Sequence, residues 1–114
     1  LEYSYDDWTI YRMALMAGNA ELANQYKQRA YNYQKSFLNG YARPRYKDGR
    51  WKEDFNIYET HGQGFIEGNS LNYSFFVPHD VKGMINLMGG DKAFILCSYR
   101  RCDKRRYSWW LHSW

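Results

Sequence analysis

The chain has 114 residues, enough for one domain, and is 45% hydrophobic and 20% aromatic, with twelve Tyr and five Trp. Its net charge of +4 lies wholly in residues 97–114, where Arg100, Arg101, Lys104, Arg105 and Arg106 outnumber Asp103, so the body is neutral and neither a nucleic-acid nor a membrane partner is expected. Both cysteines, Cys97 and Cys102, fall in that same segment; this fits neither a disulfide framework nor a four-ligand zinc site, and no apolar run reaches transmembrane length.

Residues 4–17 read as a helix with Trp8, Tyr11 and Leu15 on one face and Asp6 and Asp7 near its positive N-terminal end. Gly18 stops it, and Asn19 caps a second helix over 20–37, striped by Leu22, Tyr26, Ala30, Tyr33 and Phe37. The connection is short, so the two form an αα-hairpin. Asn39-Gly40 ends the pair. Tyr41–Tyr46 and Arg50–Trp51 are placed to pair across Lys47-Asp48-Gly49, and a long loop follows to Phe65. Its aromatics, Trp51, Phe55, Tyr58 and Phe65, predict a folded loop.

Helix is predicted again over 69–76, ended by Pro78, whose predecessor avoids helical backbone. Asp80 caps a helix over 81–88 closed by Gly89-Gly90, and Asp91 starts another through Ala93, Phe94 and Ile95. The fold class expected is all-α: αα-hairpins joined by a long loop, of the kind found in an α/α array. Beyond Leu96 the apolar periodicity is lost. Residues 97–114 read as a basic, aromatic tail, with an out-of-frame continuation favoured over a binding arm or a disordered end.

The candidate chemistry centres on Glu67–Asp80, where a carboxylate, two carboxamides, a histidine, a second carboxylate and aromatics are packed together. Glu67 at a loop-to-helix junction is either a general acid, its pKa raised by aromatic walls, or a carboxylate stabilising a helix start. For Asp80 the cap reading is preferred, and for His79 a satisfied hydrogen-bonding role. Asp6-Asp7-Trp8 resembles a sugar-binding carboxylate pair beside an indole, though such a trio is more often a helix start with a buried Trp. Glu53-Asp54 beside Trp51 read as solvated, and His61 alone makes no metal site.

Four segments carry a resemblance. Leu1-Glu2-Tyr3-Ser4-Tyr5-Asp6-Asp7-Trp8, Gly49-Arg50-Trp51-Lys52-Glu53, Ile66-Glu67-Gly68-Asn69-Ser70, and the run from Phe76 through Pro78-His79-Asp80 to Gly90 resemble glycoside hydrolase family 92, in the family's order, over residues 1–96. The resemblance implies a calcium-dependent α-mannosidase acting by inversion, on α-mannoside glycans, in a secreted or periplasmic setting, although no signal peptide is visible at Leu1. It also implies that residues 1–96 are part of an (α/α)6 barrel. Twelve helices of about 11–12 residues need some 140 residues before loops, so the rest of the catalytic domain is expected elsewhere.

On this resemblance Glu67 matches the general acid, with Asn69, Asn72, Tyr73 and Trp8 expected at the substrate. Leu71 and Asn72 stand where the family usually has Trp and Gln. The calcium ligands and catalytic base match nothing in this chain, so the 114 residues are expected to be inactive alone. The alternative is a non-catalytic carbohydrate-binding helical module, stacking sugar on Trp8, Trp51 and Tyr73.

Overall fold

A computed structural model describes residues 1–66 and 68–102. The described residues are helix-rich, with strands of only two residues each, in keeping with the all-α class.

Helix α1 runs Glu2–Met16 and α2 runs Ala20–Ala30. Their junction is set by two residues. Gly18, at φ +74, lets its amide reach the Leu15 carbonyl at 3.1 Å while the Asn19 amide reaches Ala14 O at 3.0 Å, which satisfies the last carbonyls of α1. The Asn19 side chain then accepts the Leu22 amide at 3.1 Å and caps α2. Small residues line the contact: Ser4 and Ala14 on α1, with Ala23 and Ala30 on α2, are all buried. Asp7, also buried, pairs with Arg29 at 3.2 Å and ties the two helices together.

The helix expected over 20–37 ends earlier than its stripe. Asn32–Ser36 is a 3-10 helix, and Phe37–Leu38 (β1) pairs antiparallel with Tyr41–Ala42 (β2) across Asn39-Gly40. Asn39 at φ 52 and Gly40 at φ 87 supply the left-handed turn that a two-residue hairpin needs. The hairpin expected between 41–46 and 50–51 shrinks to a single bridge, Arg45 with Trp51, and Tyr46 N donating to Arg50 O at 2.8 Å.

Helix α3, Ser70–Tyr73, is shorter than the predicted 69–76, and serines fix its place. Ser70 Oγ donates to Ala42 O at 2.5 Å, while Ala42 N donates to Ser74 Oγ at 2.8 Å, so the outer edge of β2 is satisfied by side chains of the α3 turn. Helix α4, Val81–Leu87, starts at Asp80 as predicted, whose carboxylate accepts the Gly83 amide at 3.1 Å. Helix α5, Asp91–Cys102, runs on past the position where apolar periodicity fades. The core joins Tyr33, Phe37, Ala42, Val77, Met84 and Met88. It therefore sits between the 3-10 segment, the small hairpin and α4, and α3 is clamped to its rim.

Candidate functional site

The rim around α3 carries the candidate site. Glu67 itself lies outside the described residues, and its neighbours define the surroundings. Asn69 is almost fully buried. Its carbonyl oxygen accepts the Asn72 amide at 3.0 Å and its side-chain nitrogen donates to Tyr58 O at 3.1 Å, so both ends of the amide hold backbone. Leu71, also buried, donates its amide to Ile57 O at 3.2 Å. Residues 69–71 are thus anchored to the 57–58 backbone.

Next to that anchor lies an open cleft of about 290 Å³. It is lined by Gly64, Phe65, Ile66 and Tyr73 together with Leu1, Glu2 and Tyr3 from the other end of the chain. Phe65 and Tyr73 stack with centroids 5.1 Å apart and planes 27° apart, a preferred offset geometry that leaves flat apolar surface. A second cleft, about 220 Å³, adjoins it and is lined by Glu2, Asn72, Tyr73 and Phe76. Glu2 and Tyr73 border both.

The expected substrate residues therefore divide. Tyr73 and Asn72 reach cleft walls, while Asn69 is buried beneath α3 as its cap. Trp8 sits in a partly buried aromatic cluster away from both clefts' lining, stacked at 6.4 Å on Tyr5, 6.3 Å from the His79 ring, with the Arg12 guanidinium 5.8 Å from its face. Asp6 is exposed and Asp7 is taken up by Arg29, so the Asp6-Asp7-Trp8 trio is a helix start rather than a converging carboxylate pair. Trp51 is covered by the Arg45 guanidinium at 4.9 Å, and Glu53 and Asp54 are exposed.

His79 Nε2 lies 2.8 Å from the Ala30 carbonyl; facing an acceptor, that nitrogen carries the proton and closes the end of α2. Its Nδ1 is buried without a hydrogen-bond partner among the described residues. Asp80, besides capping α4, accepts the Tyr33 hydroxyl at 2.5 Å. Burial first, and that carboxylate second, push the Tyr33 phenol well above its ordinary value. His79 and Asp80 thus serve the frame, as read from sequence. What sequence reading missed is the rest of the lining: Glu2 and Phe65 are about sixty positions apart, and no local spacing joins them.

No three His, Cys, Asp or Glu side chains converge among the described residues. The calcium that the resemblance implies therefore meets no carboxylate cluster among the described residues.

The profile of the Glycosyl hydrolase family 92 catalytic domain matches residues 1–97. An uncharacterized secreted glycosidase of Arthroderma benhamiae is 29% identical over 119 aligned positions, covering 83% of this chain and 15% of the relative. The solved family GH92 inverting mannosidase of Bacteroides thetaiotaomicron VPI-5482 superposes with a TM-score of 0.77 at 33% identity, over 82% of this chain and 13% of that one. The chain spans about one seventh of the length of these relatives. No helix among the described residues is long and apolar enough to cross a membrane. With its profile match running from Leu1 to Cys97, the chain belongs to glycosyl hydrolase family 92 and carries a segment of its catalytic domain.

Proposed function

We propose that this segment supplies the general-acid side of an inverting α-mannosidase that removes terminal mannose from glycans. Glu67 protonates the departing glycosidic oxygen. A carboxylate from another part of the domain activates water on the opposite face of the sugar, roughly 6.5–9.5 Å away, as inversion requires. The α1–α2 pair is one hairpin of an (α/α)6 barrel, and calcium is held by residues elsewhere in the domain. By themselves these 114 residues hydrolyse nothing.

The observation that carries the reading is the superposition on an inverting mannosidase at 33% identity, joined to the open cleft that begins at Ile66, immediately before Glu67. Phe65 and Tyr73 give that cleft an aromatic floor suited to the apolar face of a pyranose. Asn69 has a positioning role in this reading: buried, it fixes the first turn of α3 and with it the place of Asn72.

The test is a graft of residues 1–97 into the Bacteroides inverting mannosidase, replacing the matching segment. The hybrid is expected to cleave an alkyl α-mannoside with first release of β-mannose, seen by proton NMR, and Glu67→Gln slows it by about 10²–10⁴-fold. A hybrid that keeps its rate with Glu67→Gln refutes the assignment of Glu67, and first release of α-mannose refutes inversion.

A further inference from the structure

We infer that Glu2 is a substrate-orienting residue: with the Phe65–Tyr73 stack, its carboxylate forms a subsite for one pyranose unit of the glycan. This rests on the reading of the site as a sugar site and adds a residue to it that no local motif spacing marks.

Three observations converge. Among the described residues, Glu2 is the one acidic side chain lining either of the two adjoining clefts, and it shares both with Tyr73. It is exposed, and no hydrogen bond or ion pair engages its side chain among the described residues, unlike Asp7, Asp48 and Asp80, which each have a named partner. Phe65 and Tyr73, stacked on each other, line the same cleft as Glu2. A pyranose has the matching chemistry: an apolar face of C–H groups for the rings, and a rim of hydroxyls. A carboxylate is acceptor-only and takes two such hydroxyl donors at once. Charge-assisted bonds of that type are about twice as strong as neutral ones.

Glu2 lies in the first turn of α1, a helix tied to α2 by the Asp7–Arg29 pair, and Leu1 and Phe65 both pack against the core. The carboxylate is therefore carried on a helix beside a stacked aromatic pair, the support a specificity contact needs.

The test uses the 114-residue chain, which turns over no substrate by itself, so that binding is read without hydrolysis. Methyl α-mannoside is titrated by ¹H–¹⁵N NMR, following amides of residues 2–3, 64–66 and 72–73. Saturable shifts in all three segments are expected. Glu2→Gln, an exposed change that leaves the fold intact, weakens the dissociation constant about tenfold, as does Tyr73→Ala; Tyr73→Phe, which keeps the ring, retains binding. Glu53→Gln, on the exposed loop, changes nothing. Absence of binding by the unaltered chain, or equal binding by Glu2→Gln, overturns the inference. Failure of the general-acid reading shows separately, in a Glu67→Gln hybrid that keeps its rate.

Discussion

Asp80 gives the sharpest stability prediction, because one carboxylate does two jobs. It caps α4 through the Gly83 amide at 3.1 Å and accepts the hydroxyl of Tyr33 at 2.5 Å, bridging two elements 47 residues apart. Asp80→Ala removes a cap, which costs about 1 kcal/mol. It also strips the acceptor from a hydroxyl whose residue is only 1% exposed, which costs about 1–3 kcal/mol more. The loss is thus about 2–4 kcal/mol, a large share of a stability of roughly 5–15 kcal/mol. Asp80→Asn keeps an oxygen acceptor for either role and is expected to cost about 1 kcal/mol or less. Urea unfolding followed by far-UV circular dichroism measures both, with the midpoint moving and the slope constant. Should Asp80→Ala unfold within about 0.5 kcal/mol of the unaltered chain, or Asp80→Asn cost as much as Ala, the account of this bridge is wrong.

The same pair sets an alkaline limit. Tyr33 holds its proton more tightly folded than unfolded, so its contribution is complete below the ordinary tyrosine value near 10 and is lost as pH rises above it; in Tyr33→Phe that component of the high-pH decline disappears from unfolding curves. Asp7→Asn weakens the α1–α2 tie, and because Arg29 is half exposed the expected cost is about 1 kcal/mol or less, read from the same urea midpoints and largely removed by high salt. Gly64→Ala combines φ +88 with a Cβ that meets Pro44 Cγ at 2.5 Å, so it destabilises by about 1 kcal/mol or more and shifts the NMR signals of the cleft wall; an unchanged spectrum contradicts the close approach.

The helical hairpin was legible because its determinants are local. Gly18 and Asn19 act within a few residues of themselves, as does Asp80 at α4, and each does what its chemistry favours. The error over 31–37 has a physical source. Ala30, Tyr33 and Phe37 keep a spacing that an α-helix and a 3-10 turn share over so short a run, and the turn residues Asn39-Gly40 show the hairpin only once that helix is given up. The site was legible in part. Tyr73 and Asn72 lie within a few residues of Phe65 and line clefts with it or beside it, whereas Glu2 is brought to the same clefts by tertiary folding that no local pattern announces. Asn69 looks like a substrate amide in sequence; only its burial, with both amide ends bonded to backbone, shows that it holds the turn.

The central claim is that Glu67 donates a proton to the leaving group, and leaving-group dependence tests it most directly. In the grafted enzyme, Glu67→Gln is expected to slow hydrolysis of an alkyl α-mannoside by about 10²–10⁴-fold, the usual worth of a positioned acid, while a 2,4-dinitrophenyl α-mannoside, which departs without protonation, is cleaved at nearly the unaltered rate. Equal losses on both substrates, or no loss on either, contradict the account.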